Sequence, residues 1–200
     1  MKYIYIILVL IPLLGFSQNI ESIALNTIMP LQFEKMKATN NEYYSLKQLK
    51  EDNGIVIIFT SNTCPFVVMW EDRYKLIEKL CNDYNIGLVY VNSNYQKRAG
   101  DDSFTKMQIH ATNMNYQYPY IIDTKSKLAN TFHAKTTPHI FIFNNKDLLV
   151  YKGSIDDNYK DIDSVTSFYV KEVIIALSNN DTIKIDKTKA IGCSIKRFVD

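Results

Sequence analysis

The chain has 200 residues, of which 46% are hydrophobic and 22% charged, so it has the size and composition of one globular domain with a substantial apolar core. Its 23 basic and 21 acidic residues give a formal net charge of +2. A nearly neutral chain without runs of like charge is not typical of nucleic-acid-binding proteins, and we expect no nucleic acid as a partner.

The N-terminus has the pattern of a secretory signal peptide. Lys2 precedes an almost wholly apolar stretch over residues 3–14, and the small residues Gly15 and Ser17 follow it. This stretch is shorter than the roughly 20 residues of a membrane-spanning helix. The sequence therefore predicts a signal peptide over residues 1–17 and a periplasmic or secreted protein with no stable membrane association after cleavage. A short membrane anchor or a buried strand is the alternative for this segment.

Apolar runs alternate with amphipathic stretches along the rest of the chain. The predicted strands cover residues 55–60, 88–91, 118–123, 139–143 and 148–151. The predicted helices cover residues 43–49, 65–84, 101–113, 126–132 and 164–177. This alternation is typical of parallel strands with right-handed crossovers, and the last two strands predict an antiparallel hairpin. The predicted fold is therefore α/β, a central mixed sheet flanked by helices, with a domain over residues 18–180 and a polar tail over residues 181–200.

Cys64 is the candidate nucleophile. It follows the predicted strand at 55–60 after a short polar loop, and Pro65 after it suits the first position of a helix. Free N–H groups of a first helical turn and the positive end of the helix dipole lower the pKa of a cysteine placed there, and the thiolate is the reactive form. A buried structural cysteine is the alternative. We expect Thr63 and Pro65, the neighbours of Cys64 in sequence, to contact the substrate.

A second feature, Thr137-Pro138, precedes the predicted strand at 139–143. Prolines in sheets are confined to strand starts, edges and bulges. A cis bond between these two residues would turn the chain sharply and leave the Thr137 backbone free to pair with an extended substrate. Only about one X-Pro bond in twenty is cis, so the assignment of Thr137 and Pro138 to substrate binding depends on the resemblance described next.

From about residue 31 to residue 177 the chain resembles the thioredoxin superfamily in its order of elements: a strand, a Cys-Pro at a helix start, a Thr-Pro before a strand hairpin, and a closing helix. More closely, it resembles the exported redoxin-like proteins grouped with the alkyl hydroperoxide reductase/thiol-specific antioxidant (AhpC/TSA) proteins. The runs that carry this resemblance are CPFV at residues 64–67, EDR at residues 71–73, GSIDD at residues 153–157 and GCSIK at residues 192–196. The resemblance implies a thioredoxin-like fold and thiol redox chemistry.

The chain departs from the superfamily's patterns around Cys64. Thioredoxin-like reductases carry a second cysteine three residues after the first, where this chain has Val67, and an acidic residue in the preceding strand, which residues 55–59 lack. Peroxiredoxins carry Pro-x-x-x-Thr-x-x-Cys, and here the Pro and Thr positions hold Ile57 and Ser61. Peroxiredoxins also place an arginine in the later strands. The arginines of this chain lie outside those strands: Arg73, Arg98 and Arg197.

The other two cysteines differ in their surroundings. Cys81 lies on the apolar stripe of the long predicted helix, and we expect it to be buried and poorly reactive. Cys193 lies in the polar tail, which can fold back because loop-closure entropy grows only slowly with loop length. We predict that Cys193 is the resolving partner of Cys64. A partner-facing or structural cysteine is the alternative.

The sequence predicts no metal site and no cofactor. The three histidines are isolated in sequence: His110, His133 and His139. No close Cys/His pair suggests zinc, and the aspartates around Asp156 and Asp157 do not have the spacing of a calcium-binding EF-hand loop. We expect these aspartates to lie in a solvated loop, and residues 71–73 to form an exposed helix face.

Three functions fit these features. The first is a thiol-disulfide oxidoreductase that acts through Cys64 on exported protein disulfides or small thiols, with a thiol reductant of unknown identity. The second is a peroxiredoxin-like thiol peroxidase. The third is a non-enzymatic binding module that holds an extended peptide at the Thr137-Pro138 edge.

Overall fold

The structure is a computed structural model that describes residues 21–199. The predicted signal peptide, residues 1–17, lies outside the described residues. Among the helices of residues 21–199, none has the length and apolar character that a bilayer-spanning segment needs.

The described elements follow the order of the predicted ones. The strands are β1 (Met36–Lys37), β2 (Tyr43–Tyr44), β3 (Gly54–Thr60), β4 (Gly87–Asn92), β5 (Tyr120–Ile122), β6 (Thr136–Thr137), β7 (His139–Asn144), β8 (Leu149–Gly153) and β9 (Cys193–Ser194). The helices are α1 (Leu46–Leu49), α2 (Pro65–Asp83), α3 (Phe104–Asn113), α4 (Lys127–Phe132) and α5 (Tyr169–Asn179). Short 3₁₀ turns occur at Tyr95–Lys97, Thr124–Ser126 and Ile162–Ser164.

A five-stranded mixed sheet with the order β5-β4-β3-β7-β8 forms the centre of the protein. β3, β4 and β5 pair in parallel, whereas β7 is antiparallel to both β3 and β8. Every residue of β3 and of β4 is buried, as expected for central strands that are covered on both faces. The predicted α/β class with a central mixed sheet flanked by helices is therefore confirmed.

β3 joins the two apolar layers of the core because successive side chains of a strand point to opposite faces. Val56 and Ile58 belong to the layer that contains α2 and α5. Ile57 and Phe59 belong to the other layer, in which Phe59 packs edge-on against Phe132 of α4. Since both faces of β3 are packed, the loop that follows it starts at the C-terminal end of a buried central strand.

The helices α1, α3 and α5 begin three or more residues later than predicted, and before α5 a side chain competes for the backbone N–H groups. α5 was predicted from residue 164 but begins at Tyr169, since the carboxylate of Asp157 accepts hydrogen bonds from the backbone N–H groups of Thr166 and Ser167. The predicted helix at 43–49 retains only α1, and its first residues form β2 instead.

The N-cap of α3 is Ser103, so the helix begins at Phe104 and not at residue 101 as predicted. Asp102 is fully buried, and its carboxylate accepts hydrogen bonds from the backbone N–H of Asn62 and from the side-chain amides of Asn92 and Asn94. It therefore ties the loop before Cys64 to the end of β4.

The tail after α5 folds back over the domain. It first runs beside β8, where the N–H of Thr188 donates to the carbonyl oxygen of Lys152 at 3.0 Å. Gly153 permits this approach, because it has a φ of +148° and a Cβ there would lie 2.8 Å from the Thr188 carbonyl oxygen. The tail then forms β9, which pairs antiparallel with β6, and buries Ile195 in the core. The predicted domain boundary after residue 180 stays a prediction.

Candidate active site

Cys64 lies at the N-cap position of α2, as the sequence predicts. β3 ends at Thr60, a short loop follows, and Pro65 begins the helix at the position where its missing N–H costs nothing. The backbone of Cys64 is extended, with φ −72° and ψ 122°, and its side chain does not itself cap the helix. The sulfur is therefore placed beside the free N–H groups of the first turn.

The sulfur of Cys64 is surrounded by groups from three parts of the chain. As a neutral thiol it donates to the backbone carbonyl of Thr137, with 3.1 Å between sulfur and oxygen. Its thiolate form is stabilised by the thiol of Cys193, the Thr137 side chain and the backbone N–H groups of Val67 and Cys193, which lie nearby. The residue is only 6% exposed.

Two opposing effects act on the pKa of Cys64. Burial is the largest, and it raises the pKa because it disfavours the charged form. The hydrogen bonds from Cys193, Thr137 and Val67 to the thiolate act in the other direction and together outweigh burial, so the pKa of Cys64 is lowered. The arrangement favours a reactive anion at a site with little access to solvent.

β9 brings Cys193 to Cys64. In the antiparallel pairing of β6 with β9, Cys193 lies directly opposite Thr137. Gly192 makes this approach possible, because a Cβ at that position would lie 2.7 Å from the Thr137 carbonyl carbon and 3.1 Å from the Pro138 nitrogen. The tail thus brings a second thiol close to Cys64, whereas residue 67, a valine in this chain, supplies none.

The pKa of Cys193 is shifted opposite to that of Cys64. Burial raises it first, and the thiolate of Cys64 raises it further, because the Cys193 thiol donates to that thiolate and a second negative charge beside it is unfavourable. The backbone N–H of Phe66 and the charge of Lys196 only partly oppose these effects. Of the two thiols, Cys64 therefore loses its proton first as the pH rises, and Cys193 keeps its proton to higher pH.

The remaining predicted site residues lie around this pair. The Thr137-Pro138 bond is cis, and both residues are buried. Phe59 of β3 pairs with His139, the first residue of β7, so Pro138 lies beside the end of β3. Thr63 and Pro65 are exposed next to Cys64. The backbone edge of Thr137 is not free for a substrate, because β9 occupies it.

Known structures resemble the fold of this chain. The chain is similar to a hypothetical protein from Sinorhizobium meliloti 1021, with 23% identity and a TM-score of 0.82 over 90% of this chain and 98% of that one. It is also similar to an uncharacterised conserved protein from Geobacillus kaustophilus, with 28% identity and a TM-score of 0.76 over 86% and 92% of the two chains.

A third similar structure has an informative name. It is the exposed lipoprotein thioredoxin Etrx1 of Streptococcus pneumoniae strain TIGR4, with 17% identity and a TM-score of 0.51 over 62% of this chain and 90% of that one. The protein has a thioredoxin-like fold. No protein-family model and no curated protein matches the sequence.

Within the thioredoxin-like fold, the prediction that residues 71–73 form an exposed face was wrong for two of the three residues. Arg73 is 2% exposed, and its Nε donates to the Asp156 carboxylate at 3.1 Å. Trp70 Nε1 donates to the same carboxylate at 3.0 Å. Asp156, which we expected in a solvated loop, is 2% exposed. These charges are buried because they satisfy each other, and they fix α2 to the segment that follows β8.

Glu71 is the second exception, and its partners are on and just after α3. Its carboxylate accepts hydrogen bonds from Tyr116 at 2.8 Å and contacts His110 Nε2 at 2.7 Å. The joint presence of the EDR and GSIDD runs was the one sequence signal that could have indicated buried, paired charges on α2.

None of the arginines of residues 21–199 hydrogen-bonds to Cys64. Arg73 is bound to Asp156, and Arg98 donates to the carbonyl oxygens of Asn92 and Asp102. Arg197 donates to the Ala134 carbonyl in the tail contact. The site therefore lacks the arginine that peroxiredoxins place at their thiolate.

Two further buried groups are Cys81, in the last turn of α2, and His139, next to Pro138. Cys81 is 1% exposed within the apolar layer of α2, and burial raises its pKa, which confirms it as a core cysteine. His139, next to Pro138, accepts a hydrogen bond from the backbone N–H of Lys135 at 3.1 Å. Burial and the charges of Lys152 and Lys135 lower the pKa of His139 to about 3, so it is a neutral hydrogen-bonding residue at physiological pH.

Proposed function

We propose that the protein is an exported thiol-disulfide oxidoreductase in which Cys64 is the nucleophile and Cys193 is the resolving cysteine. The observation that carries this proposal is the paired, opposite pKa shift of two cysteines held together by the β6–β9 pairing. A thiol with a lowered pKa beside a thiol with a raised pKa suits a two-cysteine exchange reaction, in which the first attacks the substrate and the second resolves the mixed disulfide.

The reaction proceeds in two exchange steps. The Cys64 thiolate attacks one sulfur of a substrate disulfide, and the other substrate sulfur leaves as a thiolate. Cys193 then loses its proton to solvent and attacks the Cys64 sulfur, which releases the second substrate thiolate. The substrate disulfide is reduced to two thiols, and the enzyme gains a Cys64–Cys193 disulfide.

Thiol peroxidase activity is the second candidate, and the low exposure of Cys64 supports it, since a peroxide is small enough to reach a sulfur that is 6% exposed. Attack on the O–O bond would give a sulfenic acid at Cys64, which condenses with Cys193 to the same disulfide and water. The absence of an arginine bound at Cys64 counts against efficient peroxide activation. The third candidate, a peptide-binding module, needs a free Thr137 edge, which β9 occupies.

The test uses two oxidants and three variants. The reduced protein is treated with one equivalent of oxidised glutathione or of hydrogen peroxide, and its disulfides are mapped by mass spectrometry. We expect one intramolecular Cys64–Cys193 link with either reagent, faster with glutathione disulfide if the first candidate is right. Cys64→Ser should abolish the reaction, Cys193→Ser should leave a mixed disulfide or sulfenic acid on Cys64, and Cys81→Ala is the control that should still form the link.

Two results would contradict the proposal. A Cys193 that stays free while Cys64 is consumed would exclude the resolving role. A wild-type protein that reacts with neither oxidant would favour the binding module.

The proposal includes export of the protein, because disulfides persist outside the cytoplasm. Its supports are the signal-peptide pattern and the similarity to a thioredoxin that is named an exposed lipoprotein. We therefore expect exported protein disulfides, small thiols or peroxides as partners. N-terminal sequencing of the protein secreted by an expressing bacterium should begin near Gln18, whereas an intact Met1 would contradict export by a cleaved signal.

A further inference from the structure

Asp102, in the loop before α3, has a fully buried carboxylate whose hydrogen-bond donors are amide N–H groups. Its Oδ1 accepts from the backbone N–H of Asn62 at 2.9 Å and from the side-chain amide of Asn92 at 2.8 Å. Its Oδ2 accepts from the side-chain amide of Asn94 at 3.0 Å. Because hydrogen bonds to a carboxylate are strong in a buried site, Asp102 can hold the loop before α2 and the segment after β4 together.

The loop before α2 leads to Cys64. Asn62 lies two residues before Cys64, and Asp102 binds its backbone N–H. The Asn62 side chain is also held, because its Oδ1 accepts from the hydroxyl of Tyr120 at 2.9 Å and its Nδ2 donates to the backbone carbonyl of Asp101 at 2.8 Å. The loop is therefore fixed through its backbone and through a side chain just before Cys64.

The segment after β4 binds the tail. The Nδ2 of Asn94 donates to Asp102, which leaves Oδ1 as the acceptor end of the same amide. That Oδ1 accepts from the backbone N–H of Lys196 at 2.8 Å, and the N–H of Gln96 donates to the Lys196 carbonyl oxygen at 3.1 Å. Since Lys196 lies three residues after Cys193, Asp102 orients the amide that binds the tail close to its cysteine.

We propose that Asp102 is a positioning residue for the two-cysteine reaction, because it holds the loop of Cys64 and, through Asn94, the tail of Cys193 in a fixed relation to each other. This inference rests on the proposed function and adds a residue to the same site. The groups around the Cys64 sulfur come from other residues: Val67, Thr137 and Cys193. Asp102 therefore acts through its hydrogen-bonded partners.

The second exchange step is the one that depends on this fixed relation. In that step the Cys193 thiolate attacks the Cys64 sulfur, the substrate sulfur bound there leaves as a thiolate, and the protein gains a Cys64–Cys193 disulfide. A disulfide forms only within a narrow range of distances and angles, and a fixed geometry speeds a reaction between two groups of one molecule. The first step, attack of Cys64 on an external disulfide, requires no alignment with the Cys193 sulfur.

Asp102 can be tested by the exchange of one atom, because a carboxylate only accepts hydrogen bonds. Asp102→Asn has nearly the same shape, but its amide nitrogen faces an N–H donor on either side, so one of the two attachments is lost. Asn94→Ala removes the attachment of the tail alone, and it is the second variant if the first does not fold. Asp101→Asn is the matched control, since the Asp101 side chain is 52% exposed and contacts Lys106 Nζ at 3.2 Å.

The experiment measures the two steps separately in the full mature chain, with oxidised glutathione as the probe. The second step is the conversion of the Cys64–glutathione mixed disulfide to the Cys64–Cys193 link, followed by acid quenching and mass spectrometry. The first step is measured in the Cys193→Ser background, where the mixed disulfide accumulates. We expect Asp102→Asn and Asn94→Ala to slow the second step about tenfold and the first step less than about threefold. The control should change neither rate.

A double variant tests the route through Asn94. Asp102→Asn combined with Asn94→Ala should slow the second step no more than about twofold beyond Asn94→Ala alone, since the new amide nitrogen can turn toward the vacated side. Additive effects would overturn the inference, and so would equal slowing of both steps in Asp102→Asn, which indicates a general loss of structure.

The wild-type protein separates this inference from the proposed function. If it forms no Cys64–Cys193 link with oxidised glutathione, the proposed function fails, and the role of Asp102 fails with it. If the link forms and Asp102→Asn leaves both rates unchanged, the positioning role alone is overturned.

Discussion

The two ends of α2 each carry a cysteine, and the structure gives these cysteines opposite properties. Cys64 at the first turn is 6% exposed and Cys81 in the last turn is 1% exposed, so both are buried. Nevertheless the pKa of Cys64 is lowered, whereas burial raises the pKa of Cys81, and the nearby charge of Glu78 raises it further.

Burial raises the pKa of both sulfurs, and only at Cys64 do hydrogen-bond donors outweigh it. The first turn of a helix presents free N–H groups and the last turn presents free carbonyl oxygens. Cys64 gains further donors from the tail, whereas Cys81 lies in the apolar layer of α2 with the Glu78 carboxylate nearby. The lowered pKa of the buried Cys64 therefore depends both on the first turn of α2 and on the tail that packs against it.

The largest expected effect is the difference in alkylation between the two cysteines. Iodoacetamide reacts with the thiolate, so at pH 7 Cys64 should be modified at least about a thousandfold faster than Cys81 in the folded protein. The rate at Cys64 should rise with pH and level off below the pH expected for an ordinary thiol, of pKa about 8.5. Peptide mapping of timed samples measures both rates. Comparable rates, or a Cys64 rate that still rises at pH 9, would remove the basis of the comparison.

Removal of the Asp156 carboxylate tests whether its buried ion pair with Arg73 anchors the middle of α2. Asp156→Ala leaves the Arg73 charge buried without its inner partner, and the free energy of unfolding should fall by about 3–5 kcal/mol. Urea denaturation measures the loss. The matched control is Asp72→Ala, since Asp72 contacts the same guanidinium at 2.7 Å but is 54% exposed, and it should cost at most about 1 kcal/mol. Equal losses would mean that the buried pair is not the anchor.

Displacement of the tail should bring the pKa of Cys64 closer to that of Cys81. Gly192→Ala introduces a Cβ against the Thr137 backbone, and the free energy of unfolding should fall by about 1–3 kcal/mol. Cys64 loses donors from Cys193, so the midpoint of its pH–alkylation profile should move to higher pH, while the plateau rate rises because the sulfur is uncovered. Gly100→Ala should change neither. A midpoint that stays in place would show that the tail does not supply the donors.

The smallest expected effect comes from a single hydroxyl. Thr137→Val keeps the shape of the side chain but removes its hydrogen bond to the Cys64 thiolate. Alkylation of Cys64 at pH 7 should become about two- to tenfold slower, the equivalent of one ordinary hydrogen bond, with no change at Cys81. Slower alkylation of both cysteines would indicate a general change in the fold instead.

Local sequence patterns predicted the elements that position Cys64. The β-branched run of β3 and the apolar stripe of α2 were assigned nearly to their observed ends, because strand and helix periods are properties of neighbouring residues. Burial of Cys81 followed from the same stripe. The starts of α3 and α5 were missed, because Asp102 and Asp157 bind groups that the pattern could not identify as their partners.

By itself, the sequence determined where a strand would end and a helix would begin, and hence that Cys64 would meet the N–H groups of a first turn. The tertiary structure decided that Arg73 and Asp156 are buried together, that β9 covers the Thr137 edge, and that Cys193 lies against Cys64. The physical reason is range: a helical turn is specified within a few residues, whereas the cost of burying a charge or of closing a long loop depends on partners that only the folded chain brings together.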